Sequence, residues 1–165
     1  SSIEDSWTPE QKKSLQRYTS LEYQNINRAL REGRGDRGPN ADTIREVRSA
    51  MAPNPVSQKV FRRTGGNAFG LSEYATQDDM KSIVGKSFVH DGFTSTTVDE
   101  SVLADHPSVV HMEIDVPKGT SSAWVHNVGL DHDGELLLDA GTRLEILSVE
   151  PMGTYETRVR ARVVG

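Results

Sequence analysis

Three short stretches of the chain carry side chains suited to chemistry. In Phe61-Arg62-Arg63-Thr64-Gly65-Gly66 an apolar extended run delivers two guanidinium groups to a glycine-rich turn. A guanidinium fork can hold two phosphate oxygens at once, and glycine lets backbone amides approach an anion closely. The same residues also suit a solvated strand end. Gly92-Phe93-Thr94-Ser95-Thr96-Thr97 sets four consecutive hydroxyl residues in a β-prone run, where one hydroxyl could face a cleft and orient a carboxylate. No His–Asp pair accompanies Ser95 in a pattern that would make it a hydrolytic nucleophile. Asp131-His132-Asp133-Gly134-Glu135-Leu136-Leu137-Leu138 runs from a carboxylate-rich loop straight into an apolar strand. Two residues apart at a strand entrance, Asp133 and Glu135 point to one side. Paired carboxylates stabilise an oxocarbenium-like centre and orient a nucleophile, although a solvated turn or a metal site could be built from the same residues. No further ligand set with informative spacing accompanies them, so no metal is expected. The remaining histidines (His90, His106, His111 and His126) are scattered and read as structural or exposed.

The elements that must position these residues change character near residue 56. Before it the pattern is helical. Thr8-Pro9-Glu10-Gln11 has the form of a helix start, with Leu15 and Tyr18 on one face behind it. A second helix carries Leu21, Ile26, Ala29 and Leu30 and ends at Gly33, and a third spans 41–51 before Pro53. After residue 56 a short helix over 76–84 interrupts a series of brief, β-branched runs: 88–89, 92–97, 109–116, 123–125, 135–138, 143–149 and 155–164. The alternation of Val110, Met112, Ile114 and Val116 with polar neighbours predicts one buried sheet face. Helices first and strands after predict an α+β domain.

Composition narrows the function classes. A chain of 165 residues makes one domain, here 1–165, with a helical N-terminal region (residues 1–55) and a β-rich core (residues 56–165). The absence of Cys removes disulfides, thiol catalysis and Cys-based metal sites together. A net charge of -5 argues against a general nucleic-acid binder, so no nucleic-acid partner is expected. No apolar run approaches the ~20 residues of a membrane helix, and no membrane partner is expected. The polar, acidic start Ser1-Ser2-Ile3-Glu4-Asp5 lacks a signal-peptide pattern, and the missing initiator Met fits a processed or excised domain.

In the order arginine, hydroxyl strand, carboxylate pair, the three stretches resemble the R–S–E layout of mono-ADP-ribosyltransferases. The likeness is closest to the enzymatic component of binary toxins of the iota/C2/VIP2-like group. Phe61-Arg62-Arg63-Thr64-Gly65 followed by Phe69-Gly70-Leu71 is similar to that family's aromatic–Arg–Arg segment. Gly92-Phe93-Thr94-Ser95-Thr96-Thr97 resembles its Phe-x-Ser-Thr-Ser strand, and Ile114-Asp115-Val116-Pro117-Lys118 its Ile-Asn-Ile-Pro-Lys turn. Glu135-Leu136-Leu137-Leu138-Asp139-Ala140-Gly141-Thr142 is similar to its catalytic strand, and Tyr18-Thr19 with Ile26-Asn27-Arg28-Ala29-Leu30-Arg31 to the preceding helix.

The resemblance implies a fold of N-terminal helices packed on two antiparallel sheets that form an NAD cleft. It implies that Arg62, with Arg63, Thr64 and Gly65 beside it, binds NAD phosphates. Ser95 would hold the catalytic carboxylate, Thr96 would shape the nicotinamide pocket, and Glu135 would be the catalytic glutamate. Asp133 takes the upstream carboxylate position, where the family usually has Glu or Gln, and would recognise the acceptor with Trp124 and His126. The implied activity is NAD-dependent mono-ADP-ribosylation of a target protein, with arginine as the first-choice acceptor. An NAD glycohydrolase and a degenerate NAD-binding or protein-binding module on the same fold are the alternatives. NAD is the co-substrate. The family context implies a secreted or delivered toxin or effector acting in the target-cell cytosol, with a delivery or immunity partner.

Overall fold

The computed structural model describes residues 7–18, 23–125 and 134–165. Helix α1 (Pro9–Arg17) begins as its sequence predicts. The Thr8 hydroxyl accepts from the Gln11 amide at 3.1 Å and the Gln11 side chain accepts from the Thr8 amide at 2.8 Å, closing a reciprocal capping box. Helix α2 (Tyr23–Arg31) turns Ile26 and Ala29 inward, and the chain leaves it through Gly33 at φ 72°, a left-handed conformation that favours glycine. Helix α3 (Ala41–Ser49) buries Ile44 and Val47. It stops short of residue 51 because the chain turns at once into the two-residue strand β1 (Ala52–Pro53), and the residue before a proline disfavours the helical region.

The strands that follow are β2 (Gln58–Thr64), β3 (Ser87–His90), β4 (Thr94–Thr97), β5 (Val110–Val116), β6 (Ser121–Trp124), β7 (Glu135–Leu138), β8 (Thr142–Met152) and β9 (Glu156–Val164). The short helix expected over 76–84 is α4 (Gln77–Met80), continued as a 3₁₀ turn over Lys81–Ile83. The strands hydrogen-bond in the order β1-β6-β7-β4-β2-β5-β9-β8-β3. Between β4 and β2 the ladder narrows to one residue pair, Phe61 opposite Thr97, so the sheet divides into two halves around that junction. The two expected sheets are therefore continuous through a single pairing. One ladder also departs from the antiparallel rule: β5 and β9 run parallel, because the chain builds β6, β7 and β8 before returning beside β5.

Two hydrophobic cores lie on the two sides of β7. Leu136 and Leu138 pack with Val60, Met112, Ile114, Ile146 and Val159 between the sheet halves. Leu137, on the opposite face, packs with Phe93 and Ala123 against Leu15, Tyr18, Ile26, Ile44 and Val47 of the helical region. The strand entrance at Glu135 is thus fixed from both sides. Among the described residues no helix is long and apolar enough to cross a membrane.

Candidate active site

A cleft of about 740 Å³ opens where the sheet narrows. Strands β2, β4 and β7 supply Phe61, Arg62, Ser95, Thr96 and Glu135, and α2 supplies Asn27, Arg28 and Arg31 across from them. All three sequence signals therefore meet in one place, although they are separated by up to 73 positions in the chain (135 − 62). The β4–β7 register explains the carboxylate's position: Thr97 lies opposite Glu135 and Ser95 opposite Leu137, so Ser95, Thr97 and Glu135 share the helix-facing side. Glu135 is 8% exposed.

The individual roles differ. Arg62 donates from Nη1 to the Ser95 carbonyl at 3.0 Å, which ties β2 to β4 across the junction. Thr96 donates its hydroxyl to the Leu136 carbonyl at 2.6 Å, locking β4 against β7 at the cleft wall. Arg63 is buried, with donors directed to the carbonyls of Leu103 and Ser108 and to Glu156. Thr64 and Gly65 lie outside the cleft lining, and Gly65 packs against the chain at Asn67 and Glu73. Trp124 also lies outside that lining: its indole N–H donates to Asn54 Oδ1 at 3.1 Å and its ring packs on the core between the sheet halves. His126 and Asp133 lie outside the described residues.

Several cleft residues carry no obvious signal in the three motifs. Tyr18 reads from sequence as a core residue, and it is buried, its ring edge-on to Phe93 with centroids 5.2 Å apart. Its hydroxyl nevertheless reaches the floor of the cleft. There it accepts from Asn27 Nδ2 at 2.9 Å and donates to the Phe93 carbonyl at 3.3 Å. Burial pushes the Tyr18 hydroxyl pKa up to about 12, against the opposing pull of Asn27 and Arg62. Asn27 completes the floor by accepting from the Phe93 amide at 2.9 Å. Gly92 is required there, since a Cβ would lie 2.6 Å from Asn27 Oδ1. Residues 24, 27, 28 and 31 form a polar stripe at helical spacing beside the apolar one, and that stripe is the sequence signal for the helical wall of the cleft.

Electrostatically the cleft is cationic around one buried carboxylate. Burial holds both His90 and His106 below the usual histidine range, and nearby arginines reinforce this. His90 Nδ1 faces the Gly92 carbonyl at 3.0 Å. Arginine guanidiniums in a cleft suit a diphosphate, and an adjacent buried carboxylate suits a developing positive charge. No group of acidic and histidine side chains arranged for a metal occurs among the described residues.

Comparison with solved structures gives the same architecture. Plx2a, an ADP-ribosyltransferase toxin from Paenibacillus larvae, superposes with a TM-score of 0.85 at 23% identity, over 99% of this chain and 90% of that one. The enzymatic component C2-I of the C2 toxin from Clostridium botulinum gives 0.84 at 18% identity, over 98% of this chain and 45% of that one. The ADP-ribosylating toxin BECa of a binary enterotoxin of C. perfringens, solved with NADH, gives 0.82 at 21% identity, over 99% and 45%. The chain therefore spans less than half of these two binary-toxin components. Sequence comparison with curated proteins finds no significant match. The family model for the ADP-ribosyltransferase exoenzyme matches residues 1–163. With nearly its whole length matched and its fold shared, the chain belongs to the ADP-ribosyltransferase exoenzyme family, a class of NAD-dependent transferases.

Proposed function

We propose that this chain transfers ADP-ribose from NAD to an arginine side chain of a target protein. The observation that carries the reading is the convergence of Arg62, Ser95 and the buried Glu135 in one cleft walled by Arg28 and Arg31. The donor set fits the dinucleotide: guanidiniums for the diphosphate, a carboxylate for the ribose, and the half-buried Phe61 for a flat ring. Bound NAD supplies the ADP-ribose group and nicotinamide as its leaving group. Arg62, with the α2 arginines, grips phosphate oxygens. Glu135 opposes the positive charge that develops as nicotinamide leaves, held in place by two cores and shielded from bulk water. Ser95 and Thr96 keep β4 and β7 in register around it.

Asp133, two residues ahead of Glu135, attracts and orients the guanidinium acceptor, and His126 and Trp124 flank the same loop. Residues 1–165 form one catalytic domain, in which the helical region (residues 1–55) and the β-rich core (residues 56–165) join through Leu137. NADH in BECa and the binary character of that enterotoxin support an NAD-dependent enzyme that is secreted, acts in the target-cell cytosol and works with a delivery or immunity partner.

The acceptor is tested by incorporation of labelled ADP-ribose into an arginine-rich protein, run beside nicotinamide release. Asp133→Ala is expected to lose arginine transfer and to keep most NAD cleavage, whereas Asp133→Glu keeps or improves transfer and Asp133→Gln does not restore it. Equal loss of both activities in Asp133→Ala would place Asp133 in the cleavage machinery. Wild-type NAD cleavage without any arginine labelling would favour hydrolysis or another acceptor.

A further inference from the structure

Residues 98–109 join β4 to β5 and belong to no strand, yet Val102, Leu103 and His106 from this segment wall the cleft. Two arginines on the sheet hold it. Near its start, Arg158 on β9 pairs with Glu100 in a bidentate fork, Nη1 to Oε2 at 2.6 Å and Nη2 to Oε1 at 3.1 Å. Toward its end, Arg63 on β2 donates from Nη1 to the Leu103 carbonyl at 3.2 Å and from Nε to the Ser108 carbonyl at 3.0 Å. Its Nη2 reaches Ser108 as well as Glu156 Oε1, the latter at 2.9 Å, and Glu156 is itself 2.9 Å from His111 Nε2.

A buried guanidinium is tolerated only when its donors are met, and here the wall segment and Glu156 meet them. The same bonds satisfy the Ser108 carbonyl, which no ladder pairs, and give a second donor to the Leu103 carbonyl, which also accepts from the His106 amide. Glu100 and Glu156 also balance the two cations locally, so neither arginine is arranged as a spare charge for phosphate.

We propose that Arg63 and Arg158 are positioning residues that staple 98–109 to the sheet as a preformed wall of the cleft. A wall held at both ends loses little conformational freedom when a ligand binds, which sets affinity rather than the bond-breaking step. The ligand named here rests on the NAD reading; the staples themselves do not.

The test combines steady-state nicotinamide release with hydrogen exchange of the amides of 98–109, measured without NAD. Glu100→Ala is expected to raise the KM for NAD by about fivefold, the scale of one partly exposed bidentate pair, with kcat nearly unchanged. Arg63→Lys is expected to act in the same direction and more strongly. Exchange over 98–109 should accelerate in Glu100→Ala while the core strands stay protected. The reversed pair, Glu100→Arg with Arg158→Glu, should restore both KM and protection. If Arg63→Lys fails to fold, Glu100→Ala and the reversed pair decide alone. Unchanged exchange in Glu100→Ala, or a reversed pair no better than Glu100→Ala, would overturn the staples. A wild type that neither binds nor cleaves NAD would overturn the NAD reading, while the exchange result would still decide the staples.

Discussion

At Arg62 and Arg63, neighbouring residues of one type are given different work by strand geometry. Successive side chains on β2 point to opposite faces. Arg62 reaches the Ser95 carbonyl within the cleft, whereas Arg63 turns its donors to the 103–108 backbone. Arg62→Lys keeps the charge and loses the planar fork. The expected outcome is a KM for NAD raised by about tenfold, with a thermal midpoint close to wild type. An unchanged KM would move phosphate binding to the α2 arginines. The sequence motif marks both arginines as equal candidates, because residue type reports a capacity to bind phosphate and the partner that uses it comes from 33 to 93 positions away.

Among the elements, the strands were legible where their periodicity was strong. Strand β5 buries Val110, Met112, Ile114 and Val116 in the alternation its sequence shows, and β7 spans the four residues expected of it. The parallel β5–β9 pairing was not legible, since long-range strand order leaves no local pattern. The contribution of α1 to the site was also hidden. Tyr18 has the position of a core residue, and only the tertiary contact with Asn27 and the Phe93 carbonyl reveals its polar end. That contact has a pH signature. The Tyr18 pKa lies near 12 in the folded chain and at 10.0 when unperturbed, so the unfolded state releases its proton first. The resulting stability is complete below pH 10 and is lost as pH rises toward 12, amounting to roughly 2–3 kcal/mol at about 1.4 kcal/mol per unit. Denaturant titrations at pH 8 and above pH 11 should show a smaller alkaline loss in Tyr18→Phe than in wild type. Equal losses in the two proteins would place the Tyr18 hydroxyl in contact with solvent.

Across the whole molecule, β7 joins the helical region to the β-rich core and begins at the carboxylate. Leu137→Ala removes a fully buried side chain from the helix-side core and should cost about 2–5 kcal/mol. Because its neighbours Leu136 and Leu138 belong to the other core, calorimetry of wild type should show one cooperative transition that the substitution lowers as a unit. Two separate transitions would mean that the two regions fold independently. The same arrangement makes Glu135 a buried charge held by the entire fold, and its proposed role is to drive cleavage of the glycosidic bond of NAD. The direct measurement is nicotinamide release by wild type and Glu135→Gln, with thermal midpoints recorded for both. A fall of about 10²–10³ in kcat at a nearly unchanged midpoint is expected, since the amide keeps the shape and loses the charge. Nicotinamide release from Glu135→Gln at close to the wild-type rate would contradict it.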